Sequence, residues 1–232
     1  MFCIKLAGIV VGIENRYEAV KKLCRDYICE DSPSFLVCVG EEDIEREISL
    51  AVHPVSRGYA ESICIYRAIC RRLPEFGAFL FHSAVVECDG ESFAFAAASG
   101  TGKSTHAELW LKHFGDRARI INGDKPILRF DGERVLACGT PWCGKEGLNI
   151  NADSPLCAIC FIERGEKNEI SRINAAQAVM RIFPQILMPQ TEGAVDLLFP
   201  LLDRMLRDLP CYLLRCNISD EAVTVAYEMM KR

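Results

Sequence analysis

Apolar and polar residues alternate with two different periods along residues 1–73, and these periods predict strands and helices in turn. Apolar runs at 3–13 and 35–39 predict two strands. Apolar residues at helical spacing predict three helices, marked by Tyr17, Val20, Cys24 and Tyr27, by Ile44, Ile48 and Ala51, and by Tyr59, Ile63, Tyr66 and Cys70. The Arg-Arg-Leu-Pro sequence at 71–74 ends the last of these. We therefore expect residues 1–73 to form a small α+β N-terminal region that carries no recognisable chemistry.

Residues 75–170 are rich in strand and turn patterns. Two apolar runs, 79–87 and 92–97, flank the sequence Cys-Asp-Gly-Glu and predict a β-hairpin. Further strands are predicted at 117–121, 127–130, 135–137 and 156–162. The last of these contains Cys157 and Cys160, the closest cysteine pair, so we interpret both as part of a buried strand rather than as zinc ligands.

Helical patterns dominate residues 174–232. Asn174 is the predicted cap of a helix that Pro184 ends, and Ser219 is the predicted cap of the last helix. Between them, Leu198, Leu202, Met205 and Leu209 predict another helix. We interpret the apolar stripes of all three as core packing.

A phosphate-binding loop follows the predicted hairpin. An apolar run at 93–98 enters this loop, and Ala107 and Trp110 begin a helical pattern after it. In such a loop, glycines let backbone N–H groups converge on phosphate oxygens, and the positive end of the following helix favours the negative charge. Lys103 is expected to reach the terminal phosphates, and the Ser104 hydroxyl to bind Mg²⁺. The candidate nucleotide-binding residues of the loop are Ser99, Gly100, Thr101, Gly102, Lys103, Ser104 and Thr105.

Length and charge narrow the class of protein. A chain of 232 residues makes one large domain or a domain with a small appendage. The net charge of −5 argues against a nucleic-acid-binding surface over the whole molecule. No apolar stretch approaches the length of a membrane span, so we expect no membrane partner. The 13 cysteines are scattered singly through apolar segments, as reduced thiols are in a cytoplasmic protein, and we expect that compartment.

The hairpin that leads into Ser-Gly-Thr-Gly-Lys-Ser resembles the catalytic domain of HPr kinase/phosphorylase, whose nucleotide core is shared with ATP-dependent phosphoenolpyruvate carboxykinase. The resemblance covers about residues 79–165, and Ala97 stands where the family has glycine. It implies an α/β fold with a mixed sheet, in which 74–232 form a P-loop nucleotide-binding domain with C-terminal helices. It also implies a homo-oligomer. The Asn-Gly-Asp-Lys-Pro segment looks like that of small bacterial HPr-kinase-like proteins, some of which accompany peptide-modification gene clusters.

The same resemblance assigns roles to individual residues. His82 stands fifteen residues before Ala97, at the family's histidine position. The family has two aspartates after the next strand, and here Gly123 replaces the first, which leaves Asp124. Asp124 is therefore expected to bind Mg²⁺ together with Ser104. Either Asp124 also takes the proton of the acceptor, or His82 does.

The segment 139–147 contains glycines around a tryptophan and a lysine. This composition suits a mobile loop that closes over phosphates, in which Lys145 neutralises charge and Trp142 anchors the loop or stacks. An ordinary turn with a buried tryptophan is the alternative. His106 either contacts the nucleotide or lies on the surface of the loop helix.

The sequence thus predicts an ATP- and Mg²⁺-dependent kinase that transfers the γ-phosphoryl group to a hydroxyl, with Lys103, Asp124 and His82 as catalytic residues. The acceptor is a Ser or Thr of a small protein or peptide, or a small-molecule alcohol. The first alternative is a non-catalytic ATP-binding module, which the missing second aspartate favours. A carboxykinase is the second alternative, but the chain shows no cluster of carboxylate-binding arginines.

Overall fold

A computed structural model gives the fold of residues 1–98 and 100–231. The N-terminal region forms a four-stranded sheet in the order β3-β1-β2-β4. Its strands are β1 (Phe2–Leu6), β2 (Ile9–Glu14), β3 (Ile28–Cys29) and β4 (Phe35–Cys38). The helices α1 (Glu18–Leu23), α2 (Glu41–Leu50) and α3 (Arg57–Arg72) complete this region. The buried side chains of this sheet pack with those of α3 in one core.

The prediction of one strand over 3–13 is wrong, because the chain turns back on itself at Ala7 and Gly8. Both residues have positive φ, 49° and 74°, and β1 pairs antiparallel with β2 on either side of them. The turn was hidden because Leu6 and Ile9 beside it are buried, so the apolar run continues through it.

Nine strands form the second sheet. They are β5 (Ala78–Leu80), β6 (Ala84–Cys88), β7 (Glu91–Ala96), β8 (Ala118–Asn122), β9 (Ile127–Asp131), β10 (Arg134–Cys138), β11 (Asp153–Arg164), β12 (Glu169–Arg172) and β13 (Cys211–Cys216). The main order is β5-β9-β10-β11-β7-β6-β8, and β13 pairs with β11 and β12. The sheet is mixed, since β11 runs parallel to β7 and β13 whereas β6 runs antiparallel to β7 and β8.

The predicted strand 79–87 is also wrong, because it is two strands in different parts of the sheet. β5 pairs with β9, whereas β6 pairs with β7 and β8. Between them, Phe81 makes an isolated bridge to Ile186 and His82 lies outside any strand. His82 is therefore held at a crossing between two parts of the sheet, and the hairpin that leads into the phosphate loop is β6–β7.

Helices cover both faces of this sheet. They are α4 (Lys103–Phe114), α5 (Ala175–Ile182), α6 (Glu192–Asp208) and α7 (Asp220–Met230). Phe93 and Phe95 of β7 pack towards α4 and α7, and Ala94 and Ala96 face the core of α5 and α6. The three C-terminal helices were predicted, including the Asn174 cap, whose side chain accepts a hydrogen bond from the Gln177 N–H at 3.0 Å. β12 and β13 were not.

Within residues 1–98 and 100–231, no helix is both long and apolar enough to cross a membrane.

Candidate functional site

The loop that is predicted to bind phosphate joins β7 to α4, so its strand–loop–helix context is as the sequence predicts. Phosphate binding by this loop stays a prediction. Gly100 and Gly102 have φ of 76° and 121°, and a Cβ at either position would meet nothing within 4 Å. These glycines are therefore required by backbone conformation and not by space. Ala97, in contrast, is not among the described residues with positive φ, so its methyl group fits the strict motif's glycine position. Ser99, which we expected to bind nucleotide, lies outside the described residues.

The N-terminus of α4 has unused hydrogen-bond donors. The first bond within the helix runs from the His106 N–H to the Gly102 carbonyl at 2.9 Å. No side chain caps this end. Among the described residues, the N–H groups of Lys103, Ser104 and Thr105 have no backbone acceptor. The helix begins with three N–H groups at the loop, where the positive end of the helix dipole lies.

Lys103 is 8% exposed and folds back over the loop, where its Nζ donates a hydrogen bond to the Ala97 carbonyl at 3.1 Å. Burial lowers the pKa of this ammonium group, and the charge of Asp124 opposes that effect. No described residue forms a salt bridge with it. An ammonium group has three donors, so two remain for an anionic ligand.

Asn122, at the end of β8, fixes the turn that carries Asp124. Its side chain is fully buried, and its Oδ1 accepts hydrogen bonds from the N–H groups of Asp124 and Lys125 at 2.9 and 2.7 Å. Its Nδ2 donates to the Thr140 carbonyl at 3.1 Å. Asn122 was not among the predicted site residues, although Asn two positions before a turn residue is a known signal for an Asx-turn.

Asp124 is paired through both carboxylate oxygens. Its Oδ1 lies 2.9 Å from His82 Nε2, and its Oδ2 accepts a hydrogen bond from Lys125 Nζ. Burial acts to raise the pKa of Asp124, but the hydrogen bonds from His82 and Lys125 and their charges outweigh it. The pKa is held well below its usual range, so the carboxylate stays ionised at neutral pH.

One cavity of about 750 Å³ brings most of the predicted residues together. Its lining includes His82, Gly100, Gly102, Lys103, Ser104, Thr105, Asp124, Lys125 and Lys145. Among the described residues, the Ser104 hydroxyl makes no hydrogen bond. We name this the loop cavity. It brings the buried ammonium group of Lys103, the hydroxyl of Ser104 and the ionised carboxylate of Asp124 into one space.

The segment 139–147 borders the loop cavity and is anchored by Trp142. This indole is 4% exposed, stacks on Tyr66 with ring centroids 4.2 Å apart, and donates to the Ser62 carbonyl at 3.0 Å. A buried indole is what the alternative of an ordinary turn with a buried tryptophan expects, and closure of this segment over phosphates stays a prediction. A Cβ on Gly144 would lie 3.1 Å from Asp124 Cβ, so the segment packs directly against the carboxylate turn.

The prediction that His106 lies on the surface of the loop helix is wrong, because this residue is 3% exposed and packs into the core. It also borders a cavity beside the loop, together with Thr105 and Leu109, so contact with a nucleotide stays a prediction. Its Nε2 accepts a hydrogen bond from Trp110 Nε1 at 3.0 Å, and its ring contacts Phe95. Burial lowers its pKa to about 4, so it is neutral at pH 7. His106 packs α4 against the sheet and is not among the described residues that line the loop cavity.

Two residues near the loop and His82 were not predicted from the sequence. Arg164, at the end of β11, donates to the carbonyls of Gly100 and Thr101 at 2.6 and 3.3 Å. Gln185 accepts the His82 N–H on its carbonyl oxygen at 2.7 Å. Neither residue stands at a sequence distance from the loop that a known motif specifies. The sequence signal for Arg164 was its position just after the predicted strand 156–162.

The donor set suits a metal ion that is shared with a ligand. Among residues 1–98 and 100–231, no three His, Cys, Asp or Glu side chains are grouped so as to hold a metal ion. Mg²⁺ usually takes one or two protein oxygens and completes its shell with water and substrate phosphates. Ser104 and Asp124 supply that number in the loop cavity.

Residues 60–225 match the family model of SynChlorMet cassette protein ScmC. The chain belongs to the ScmC family. The matched residues run from α3 into α7, so every described residue of the loop cavity except Leu23 and Tyr59 lies inside the ScmC match.

The structure of the Hpr(Ser) kinase/phosphatase from Coxiella burnetii is similar over 65% of this chain and 95% of that chain. The TM-score is 0.38 and the sequence identity 8%, a likeness too low to bear on activity. No curated protein matches the chain. The ScmC match therefore supplies the family, and the chemistry has to be argued from the site.

Proposed function

We propose that this ScmC-family chain is an ATP- and Mg²⁺-dependent kinase of the HPr-kinase type, which transfers the γ-phosphoryl group to a hydroxyl. The observation that carries the proposal is the content of the loop cavity. Lys103 lies there with free donors, Ser104 with a free hydroxyl, and Asp124 with its His82 partner. Phosphoryl transfer needs this combination of charge neutralisation and alignment more than it needs covalent chemistry.

The loop and the start of α4 bind the phosphates in this proposal. The N–H groups of Lys103, Ser104 and Thr105 donate to phosphate oxygens, and the Lys103 ammonium leaves the Ala97 carbonyl to neutralise the terminal phosphates. Ser104 and Asp124 hold Mg²⁺, which supplies further neutralisation of the phosphate charge. Lys145, which is exposed and lines the same cavity, adds a further positive charge.

A second cavity at the loop has room for the nucleoside. It measures about 560 Å³ and is bordered by Thr105, Leu109, Ile162 and Ile218. Ile218 is 79% exposed, so its side chain is free to cover a flat base. We assign the base and ribose to this side because Gly100, Gly102 and Thr105 line both cavities.

The acceptor proton goes to His82 rather than to Asp124. The depressed pKa of Asp124 makes its carboxylate a weak base. Its Oδ1 instead accepts the hydrogen on His82 Nε2, and in that tautomer of the imidazole Nδ1 is the nitrogen that can accept a proton. In the transfer, the acceptor oxygen forms a bond to the γ-phosphorus, the bond from that phosphorus to the β–γ bridging oxygen breaks to release ADP, and the hydroxyl proton moves to His82 Nδ1.

A non-catalytic ATP-binding module is the second candidate, and one observation favours it. Both oxygens of Asp124 already have partners, and Gly123 offers no second carboxylate. Each carboxylate oxygen has a second lone-pair site, however, so these hydrogen bonds leave room for a metal ion. Both candidates predict binding of Mg·ATP, and only the kinase predicts transfer of its γ-phosphoryl group.

Turnover of γ-³²P-labelled ATP decides between them, measured with glycerol, sorbitol and a degenerate Ser/Thr peptide library as acceptors. The kinase proposal expects wild-type transfer, with His82→Gln lowering kcat by about 10²- to 10⁴-fold while Mg·ATP affinity changes little. Asp124→Asn, which alters a proposed metal ligand, should lower kcat by more than it weakens Mg·ATP binding. His113→Gln, an exposed histidine on α4, is the matched control and should retain wild-type turnover. Wild-type binding of Mg·ATP without label transfer to any acceptor or to water would support the binding module.

A further inference from the structure

A groove of about 370 Å³ opens on the other side of His82 from the phosphate loop and has no part in nucleotide binding as proposed above. Its walls come from α3, from β5 and from the segment that follows α5. The walls are mainly apolar side chains, Ile63, Leu80, Ile186 and Leu187, and these four residues define what we call the acceptor groove. The groove is continuous with the loop cavity, because Ile63, His82 and Lys125 line both.

Gln185 gives this groove a specific polar feature. The residue is 7% exposed, and its side-chain Oε1 has no hydrogen-bond partner among the described residues. Its backbone carbonyl accepts the His82 N–H, which fixes Gln185 beside the proposed base. A buried acceptor without a donor is unfavourable, and a ligand or water that supplies the donor removes this cost. Among the buried polar side-chain atoms of the described residues that lack a partner, Gln185 Oε1 is the one beside His82.

Gln185 also lines a third cavity, of about 890 Å³, together with His82 and Pro184. This cavity extends along Met180 and Arg181 of α5 to the phosphate loop. Open space therefore leads away from the His82–Gln185 pair in two directions. A compact alcohol would fill one of these spaces, whereas an extended chain can use both with its hydroxyl between them.

We propose that the acceptor groove holds an apolar side chain next to the phosphorylated Ser or Thr of a peptide acceptor, and that Gln185 Oε1 accepts a hydrogen bond from a backbone N–H of that peptide. Three requirements meet in this acceptor. It presents a hydroxyl to His82, an N–H to the buried amide oxygen, and an apolar group to Ile63, Leu80, Ile186 and Leu187. Neighbouring residues of an extended chain are about 3.3 Å apart, so one short segment can satisfy all three.

The inference rests on the kinase proposal, and the reaction is the transfer described above. Gln185 is a positioning residue in it, since it orients the peptide and takes no part in proton transfer. Its loss should therefore weaken binding of the peptide and leave the chemical step in place.

The test uses a peptide library with one fixed Ser or Thr between degenerate positions, incubated with the full chain and Mg²⁺ with γ-³²P-labelled ATP. Labelled products should be enriched in Leu, Ile, Val or Phe within two residues of the phosphorylated position. Leu187→Glu should remove this enrichment because it puts a carboxylate among the apolar walls of the acceptor groove, at a residue that is not among those lining the loop cavity. The matched control is Leu50→Glu on α2, which changes an exposed leucine away from the groove and should keep the enrichment.

Gln185→Leu tests the hydrogen bond. For the best peptide of the library, KM should rise about three- to tenfold, the value of one neutral hydrogen bond, with kcat unchanged. A fall in kcat at constant KM would overturn the positioning role. Thermal unfolding verifies that each variant folds, and Leu80→Glu replaces Leu187→Glu if that variant does not.

Three outcomes would overturn the inference while the kinase proposal stands. The labelled peptides would show no apolar preference, the preference would survive Leu187→Glu, or a chain that binds Mg·ATP would label glycerol or sorbitol but no peptide. Absence of Mg·ATP binding by the folded chain would instead refute the kinase proposal, and with it this inference.

Discussion

Neutral, buried His106 makes the fold sensitive to acid, and His106→Gln should remove that sensitivity. The imidazole is 3% exposed, and burial lowers its pKa from the usual 6.5 to about 4. The unfolded chain therefore binds a proton at this residue at a higher pH than the folded chain does. By linkage, the stability that the neutral ring provides is complete above pH 6.5 and is lost as the pH falls towards 4.

The magnitude follows from the size of the pKa shift. Each unit corresponds to about 1.4 kcal/mol, so the drop from 6.5 to about 4 gives a loss of about 3 kcal/mol between pH 7 and pH 4. This is a large share of the stability of an ordinary domain, about 5–15 kcal/mol. Glutamine can still accept the Trp110 indole hydrogen bond with its side-chain oxygen, but it has no proton to gain.

Urea unfolding, followed by circular dichroism at half-unit steps from pH 7 to pH 4, measures the effect. The difference in unfolding free energy between wild type and His106→Gln should shift by about 3 kcal/mol in favour of the variant as the pH falls. Carboxylates titrate equally in both proteins and cancel in this difference.

Trp110→Phe is the control, because it removes the indole donor and keeps His106 buried. Its difference from wild type should be nearly constant with pH, since burial and not the indole bond lowers the pKa. A wild-type minus His106→Gln difference that does not change between pH 7 and pH 4 would refute the reasoning.

Two further predictions concern the parts that hold the site in place. Glu61 is fully buried and accepts hydrogen bonds from the N–H groups of Arg16 and Tyr17 at 2.5 and 2.9 Å. Glu61→Leu should therefore lower the unfolding free energy by about 2–5 kcal/mol, and Glu61→Gln should lower it by less. Equal losses for the two variants in urea titrations would contradict this. A Cβ at Gly139 would overlap the Ile150 carbonyl oxygen, so Gly139→Ala should lower Tm. The control is Gly193→Ala on α6, where a Cβ would meet nothing within 4 Å. This variant should be neutral or stabilising by up to about 1 kcal/mol. Equal Tm values for the two variants would contradict the prediction, because they would mean that the backbone near Gly139 moves to accommodate the methyl group.

The sequence was sufficient to predict the elements whose pattern is local. The phosphate loop between β7 and α4, the β9–β10 hairpin and the Asn174 cap each depend on residues within a few positions of one another. Asp124 was predicted from the resemblance, which places an aspartate after the strand that follows the loop helix, and the structure puts it in the lining of the loop cavity.

What could not be predicted depends on residues far apart in the chain. His82 lies between β5 and β6 because β5 pairs with β9 and Phe81 bridges to Ile186, and no local pattern marks that break in an apolar run. Gln185 reaches His82 from the segment after α5. His106 is polar by type but buried against Phe95 and Trp110, so its place in the core is a tertiary property.

The central claim is that the loop cavity binds the phosphates of ATP through Lys103. Titration calorimetry with Mg·ATP, on wild type, on Lys103→Ala and on Lys112→Ala as an exposed control on the same helix, tests it most directly. The account predicts micromolar affinity that needs the metal for wild type and Lys112→Ala, and a loss of about 10²-fold for Lys103→Ala, the value of charge-assisted hydrogen bonds to phosphate. Equal affinity in all three proteins, or no binding by the folded wild type, would contradict it.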